Sequence, residues 1–75
     1  ISTSTIERRF LEYFGMTPLK FIQKKKIIYA AALLRAGKTV LEAGLEVGYT
    51  DNSYFIKLFK EHYGVTPFKY KKDNA

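Results

Sequence analysis

An internal repeat is the sequence feature that most constrains this chain. Residues 4–21 read STIERRFLEYFGMTPLKF, and residues 53–70, which lie 49 positions further along, read SYFIKLFKEHYGVTPFKY. When Gly15 is aligned with Gly64, seven of the eighteen columns are identical. They are Ser4/Ser53, Phe10/Phe59, Glu12/Glu61, Gly15/Gly64, Thr17/Thr66, Pro18/Pro67 and Lys20/Lys69. The repeat predicts that one local structure occurs twice.

Each copy is predicted to be a helix that stops and then restarts. A glycine takes the left-handed conformation that often follows a helix, a threonine caps the next helix, and a proline occupies its first position. These residues are Gly15, Thr17 and Pro18 in the first copy, and Gly64, Thr66 and Pro67 in the second. An apolar stripe at i, i+4, i+7 and i+8 precedes each glycine and is typical of a buried helix face. The stripes are Ile6, Phe10, Tyr13 and Phe14, and Phe55, Phe59, His62 and Tyr63.

Capping signals divide the whole chain into helices. Helix one is expected to start at Ser4, with Glu7 completing a capping box. Helix two is expected from Pro18 to about Arg35, with Ile22, Ile27, Ala30, Leu33 and Leu34 facing inward. Helix three is expected to open with a capping box formed by Thr39 and Glu42 and to end near Val47. Helix four is expected to run from an N-cap at Asp51 to Tyr63. A last turn or two is expected after Pro67, followed by a frayed segment at 71–75. No segment alternates as a strand would, so the predicted fold class is all-α.

Composition narrows the function classes. Thirteen Lys and Arg against seven acids give a net charge of +6 and a pI near 9.7, which favours an anionic partner, nucleic acid before a membrane surface. Lysines retained for solubility are the alternative explanation. With no cysteine and one histidine, the chain offers no disulfide and no metal site, and we expect no cofactor. No apolar run is long enough to span a membrane and no signal peptide is visible, so we expect a cytoplasmic protein.

The segment after residue 38 has the order of a helix-turn-helix. Helix 40–47, the turn Gly-Tyr-Thr and helix 52–63 have suitable lengths. Helix four carries an outward stripe of Asn52, Ser53, Ile56, Lys57 and Lys60. Asn and Ser can donate and accept at base edges, Lys reaches guanine or phosphate, and an outward Ile can meet a thymine methyl. The structural alternatives are helix capping for Asn52 and Ser53 and core packing for Ile56.

The string GYTDNSYFIKLFKEHYGVTPFKYKK, residues 48–72, resembles the C-terminal signature of AraC-type (AraC/XylS) bacterial transcription regulators. That signature combines Gly-Phe/Tyr, Asp-x-Ser-Tyr-Phe, Phe-Lys and Gly-x-Thr-Pro at these spacings. The resemblance implies a single DNA-binding domain over 1–75, in which homeodomain-like helix-turn-helix units present two recognition helices to successive major-groove segments. Residues 1–17 would hold the recognition helix of the first unit, 18–37 the linker helix and 38–72 the complete second unit. Because the chain starts at that first recognition helix, we expect the first unit to lack its scaffold helix and the stripe of Ile6, Phe10 and Phe14 to be exposed.

The resemblance also implies site residues. The base-reading positions fall on Ser4, Glu7 and Arg8 in the first recognition helix and on Asn52, Ser53, Ile56 and Lys57 in the second. The capping box is the alternative role for Glu7. We expect phosphate contacts at Lys20, Lys38, Thr39 and Lys60, because backbone amides at helix starts and lysine side chains both bind phosphate. The Lys24–Lys26 run is interpreted as a solvated face, with phosphate contact as its alternative.

Two positions depart from the family pattern. Lys26 stands where the family usually has Arg. Gly44 stands where it usually has Ala, inside helix three, where Gly costs about 0.5–1 kcal/mol relative to Ala but allows a crossing helix to approach closely.

We therefore expect a binding module and not an enzyme, because no nucleophile, base and carboxylate stand at a recognisable spacing. Double-stranded DNA is the expected partner, RNA polymerase is a candidate second partner, and a sensing or dimerisation domain lies outside these residues. A basic helical module that binds a protein or an anionic membrane surface is the rival interpretation, and a sequence-dependent salt slope on duplex DNA separates the two.

Overall fold

The structure is a computed structural model that describes the backbone of residues 3–74 and the side chains of residues 5–74. Within that range the chain forms five helices and no strand, which confirms the all-α prediction. The helices are α1 (Thr3–Phe14), α2 (Pro18–Arg35), α3 (Val40–Glu46), α4 (Asn52–Tyr63) and α5 (Pro67–Asp73). The molecule is elongated, with extents of 45 × 21 × 19 Å. Its long central helix, α2, packs against each of the other four.

The two copies of the repeat turn in the same way. Gly15 and Gly64 have φ values of 74° and 77°, so both occupy the left-handed region where a Cβ is disfavoured. The side-chain oxygen of Thr17 accepts a hydrogen bond from the Lys20 amide, and Thr66 accepts one from the Lys69 amide, each at 3.3 Å. The predicted stop and restart is confirmed in both copies.

The hydrophobic core lies at one end of the molecule. It consists of side chains from α2, from α3 and the turn after it, and from α4. Its buried members are Ile27, Ala30, Ala31, Leu34, Val40, Ala43, Val47, Phe55 and Phe59. Gly44 belongs to this contact as well, because a Cβ built on it would lie 2.9 Å from Cδ2 of Phe55. The close approach expected at Gly44 is therefore confirmed, and it joins α3 tightly to α4.

At the other end of the molecule, none of the side chains described for α1, residues 5–14, is buried. Ile6 and Phe14 are 53% and 50% exposed, and Phe10 is half-buried. The rings of Phe10 and Phe14 each lie 5.3 Å from the ring of Phe21 on α2. The exposure expected for this stripe is confirmed, and the general prediction that the stripe of each copy is buried is wrong for the first copy. In the second copy it is wrong for His62, which is exposed, whereas Phe55 and Phe59 are buried and Tyr63 is half-buried. Among the described residues, Phe21 is the ring outside α1 that contacts this stripe, and no second layer of side chains encloses it.

Three details of the predicted helices are wrong. The first helix already includes Thr3, so Ser4 lies inside it and is not its cap, because a capping residue has non-helical backbone angles. Ile22 is exposed rather than inward, because it lies where α2 extends beyond the core. The last helix continues through Lys71 and Lys72 to Asp73, and the Asn74 side-chain amide closes it by donating to the Tyr70 carbonyl at 2.8 Å.

Candidate nucleic-acid interface

Helix α4 is fixed in orientation by two aromatic anchors. The side chains of Phe55 and Phe59 are fully buried, one turn apart on one face. The opposite face carries Ser53, Lys57 and Lys60, which are exposed. Because a helix with one buried face presents the other to solvent, the sequence of α4 determines which side chains are available to a partner.

The start of α4 is capped by the residue before it. The Asp51 side-chain oxygen accepts a hydrogen bond from the Tyr54 amide at 3.2 Å, which confirms Asp51 as the N-cap. Asn52 and Ser53 are the first two residues of the helix, so neither is used as its cap. The Asn52 side chain is half-buried, and its carbonyl oxygen is enclosed without a hydrogen-bond partner among the described residues. Ser53 is exposed.

Two other predicted base-reading positions on α4 differ in environment. Lys57 is exposed, one turn after Ser53. Ile56 is half-buried and packs against the core cluster, so the core-packing alternative accounts for part of its surface. The remaining part lies between the polar positions of the outward stripe.

The predicted base-reading residues of α1 lie on a helix whose side chains are all at least partly exposed over residues 5–14. Glu7 and Arg8 are exposed. The Ser4 side chain lies outside the described residues. Because Ser4 is not a cap, the capping-box alternative for Glu7 loses its basis. Arg8 and Lys57 occupy the same column of the repeat, so the two helices present a cation at the same position.

The predicted phosphate-contact residues lie at helix starts and on the exposed face of α4. Lys20 is exposed in the first turn of α2, Lys38 is exposed just before α3, and Lys60 is exposed on α4. Thr39 forms the predicted capping box: its hydroxyl oxygen accepts from the Glu42 amide at 3.1 Å, and its own amide donates to Glu42 Oε1 at 3.0 Å. The hydrogen bond from the Thr39 amide lowers the pKa of Glu42.

Sequence reasoning missed a contact between the linker helix and the helix-turn-helix. The sequence predicts that Lys26 belongs to a solvated run, but its side chain is half-buried and its Nζ lies 5.3 Å from the centre of the Tyr49 ring. Gln23, one turn earlier, donates from Nε2 to the Tyr54 hydroxyl at 3.5 Å. The three-residue spacing of Gln23 and Lys26 indicates that they share one face of α2, but nothing in the sequence identifies Tyr49 and Tyr54 as their partners.

Neither a metal-binding cluster nor a membrane-spanning helix is found among residues 3–74. No group of three or more His, Asp and Glu side chains there is arranged to hold a metal ion. None of the helices in that range is both long and apolar enough to cross a membrane.

Known proteins are similar to this chain in sequence and in fold. A family model described as a helix-turn-helix domain matches residues 1–73. An uncharacterized HTH-type transcriptional regulator of Haemophilus influenzae is 37% identical over 73 residues, which are 96% of this chain and 24% of that protein. The HTH-type transcriptional regulator MtrA of Neisseria gonorrhoeae is 34% identical over all of this chain and 25% of its own length. The chain thus spans about a quarter of these curated relatives.

Two solved structures have the same architecture. The C-terminal domain of the two-component response regulator yesN from Fusobacterium nucleatum superposes with a TM-score of 0.86 at 29% identity, over 95% of this chain and 70% of that one. The xylose-binding transcription activator xylR superposes with a TM-score of 0.84 at 34% identity, over all of this chain and 20% of that one. The two curated relatives are named transcriptional regulators and xylR is named a transcription activator, so the family consists of regulators and not of enzymes. The chain therefore belongs to the AraC-type helix-turn-helix family of DNA-binding transcription regulators.

Proposed function

We propose that this domain binds specific sequences of double-stranded DNA by placing the amino-terminal half of α4 in the major groove. The observation that carries the proposal is the orientation of α4. Its buried face holds Phe55 and Phe59, and its exposed face holds Ser53 and Lys57. A rigid helix with polar side chains near its amino terminus suits the major groove, which is wide enough to admit it.

Each side chain of the exposed stripe has a chemical role in this proposal. Asn52 donates to a base edge from its side-chain NH2 group, because its carbonyl oxygen is enclosed, and Ser53 forms a hydrogen bond with a neighbouring base edge. Lys57 donates to a guanine or to a phosphate. Ile56 contacts a thymine methyl group with the part of its surface that the core leaves uncovered. Lys60, further along the same face, contacts the DNA backbone.

The repeat extends the proposal to α1. Ser4, Glu7 and Arg8 are proposed to read a second segment of the major groove, so residues 1–17 form the first reading element and 38–72 the second. Residues 18–37 hold the two elements apart, because an 18-residue helix is roughly 27 Å long and successive groove segments lie about 34 Å apart. Lys20, Lys38 and the start of α3 at Thr39 contact the phosphate backbone between or beside them.

The proposed site of action is the bacterial cytoplasm, where promoter DNA is accessible. RNA polymerase is the proposed second partner, because relatives of this chain are named transcriptional activators, among them RhaR of Mannheimia succiniciproducens. Any signal-sensing function belongs to other parts of such regulators.

Selection from randomised duplexes tests the proposal. We expect recovered sites to share a short conserved motif, and we expect Lys57→Ala to weaken binding to that motif by roughly 1–3 kcal/mol and to relax preference at a few adjacent base pairs. Arg8→Ala should do the same at a second segment. The matched control is Lys72→Ala on α5, which is exposed and should leave base preference unchanged.

Two outcomes would contradict the proposal. Recovery of no shared motif, together with binding that depends only on salt, would favour the rival basic module that binds a protein or an anionic membrane surface. An equal loss for Lys57→Ala on every sequence would assign Lys57 to phosphate contact.

A further inference from the structure

The linker helix holds the turn that precedes α4 through Lys26. The ammonium group of Lys26 lies 5.3 Å from the centre of the Tyr49 ring, a distance at which the ring quadrupole attracts a cation. The same ammonium group would lie 3.7 Å from a Cβ built on Gly48, whose φ is +98°. Glycine at position 48 permits the turn because its φ is positive, and the ammonium group lies close beside it.

Tyr49 transmits that contact to α4. Its ring lies 5.9 Å from the ring of Phe55 in a stacked arrangement and 6.0 Å from the ring of Tyr54 in an edge arrangement. Its backbone amide donates to the Gly44 carbonyl at 2.9 Å, which fixes the turn to α3. The Tyr49 ring therefore lies between the Lys26 ammonium group and the first turn of α4.

Gln23 makes a second contact from the same face of α2. Its side-chain amide donates to the Tyr54 hydroxyl at 3.5 Å. Gln23 and Lys26 are three residues apart, so they lie on neighbouring turns of one helix face. Lys26 contacts the ring of Tyr49, which precedes α4, and Gln23 contacts the hydroxyl of Tyr54, which lies in the first turn of α4.

We propose that Lys26 and Gln23 are positioning residues that orient the reading end of α4 from the linker helix without contacting DNA. This inference rests on the proposed function, because it assigns what sets the position of Asn52 and Ser53. Hydrogen bonds to base edges depend steeply on distance and angle, so a small rotation of this first turn weakens base reading. A phosphate contact by Lys26, the other role open to a lysine here, depends instead on the charge alone.

A matched pair of variants separates these roles. Lys26→Met removes the ammonium group and keeps an apolar stem of similar length. Lys25→Met is the control, because Lys25 Nζ lies 5.4 Å from the Phe21 ring, a similar contact made away from α4. Both variants lose one charge and one cation–ring contact.

We expect Lys26→Met to weaken binding to the selected site about five- to tenfold and to relax preference at the base pairs read by α4. The salt slope should equal that of Lys25→Met, and Lys26→Arg should restore the preference. A slope for Lys26→Met that is lower than the control's by about one, with base preference intact, would show a phosphate contact and overturn the proposal. Gln23→Leu should produce a smaller loss of the same kind.

Amide exchange without DNA tests the physical cause independently. Lys26→Met should accelerate exchange at the amides of Tyr54 and Phe55 relative to both wild type and Lys25→Met. Unchanged exchange there would overturn the positioning role. If the wild-type domain shows no sequence preference, the proposed function fails, and this measurement still decides whether Lys26 orders the start of α4.

Discussion

The two copies of the repeat share their local geometry and differ in burial. The N-cap residues Thr17 and Thr66 have φ/ψ values of −70°/158° and −67°/157°, and the amides of Gly15 and Gly64 donate to carbonyls four residues earlier at 2.8 and 2.7 Å. The backbone follows the same path twice. Interactions between residues that are close in the sequence are therefore sufficient to specify this turn.

Side-chain burial, unlike backbone geometry, differs between the two copies at matching positions. Ile6 is 53% exposed, whereas Phe55 in the same column is fully buried. Phe10 is half-buried, whereas the identical residue Phe59 is fully buried. The difference comes from α3 and α5, which pack against α4. An apolar stripe therefore indicates which face of a helix can be buried, and the neighbouring helices determine whether it is.

The largest expected difference between the copies is in stability. Phe59→Ala should lower the free energy of unfolding by roughly 3–5 kcal/mol, because it leaves a cavity in the core. Phe10→Ala should lower it by about 0.5–1.5 kcal/mol, the value of the aromatic pairs that it removes. Urea denaturation of both variants gives the comparison.

Leucine variants guard against complete unfolding of Phe59→Ala. Phe59→Leu should still be less stable than Phe10→Leu. Equal losses at the two positions would mean that α1 is as well enclosed as α4.

The packing of α3 on α4 is tested at Gly44. Helix propensity alone predicts that Gly44→Ala gains about 0.5–1 kcal/mol. The new Cβ would lie 2.9 Å from the fully buried Phe55 ring, however, and such overpacking costs roughly 1–3 kcal/mol. We therefore expect a net loss of stability by thermal denaturation, while Leu45→Ala on the exposed face of α3 changes it little. A stabilised Gly44→Ala would show that the second unit is loosely packed.

Amide hydrogen exchange compares the two helices directly. The amides of residues 10–14 should exchange at least about tenfold faster than those of 59–63, a difference of about 1.4 kcal/mol in opening free energy. The reason is that α4 opens only when the core is disrupted, whereas α1 can open alone. Equal protection would refute the idea that the first reading element is weakly supported.

The smallest expected effect concerns the capping box of Thr39 and Glu42 at the start of α3. Hydrogen bonding to Thr39 lowers the pKa of Glu42 below its unfolded value, so the carboxylate stabilises the fold above that value and loses its contribution as the pH falls. Glu42→Gln should lower the melting temperature at pH 7, and the difference from wild type should shrink in acid. Glu7→Gln is the matched variant in α1, and we expect a smaller change there because Ser4 is not a cap. A pH-independent difference for Glu42→Gln would argue against this role of the carboxylate.

Most helix boundaries could be predicted because the signals that set them are local. The Thr17, Thr39, Asp51 and Thr66 caps each depend on a hydrogen bond that spans three residues, and all four occur. The predicted start of α1 is wrong because Ser4 has the sequence features of an N-cap, whereas the helix already includes Thr3. The orientation of α4 was also predictable, since Phe55 and Phe59 fall on one face and Ser53, Lys57 and Lys60 on the other. Ile56 is the exception, because it lies in the outward stripe and is half-buried against the core.

The sequence by itself determined the helices, the repeated turn and the exposed polar stripe of α4, because propensity, capping and periodicity act between residues close in the chain. Only the tertiary structure decided that Phe59 is buried and Phe10 is not, that Gly44 gives room to Phe55, and that Lys26 reaches Tyr49. Those outcomes depend on contacts between residues far apart in the chain. Such contacts exist only after α2, α3 and α4 have packed together.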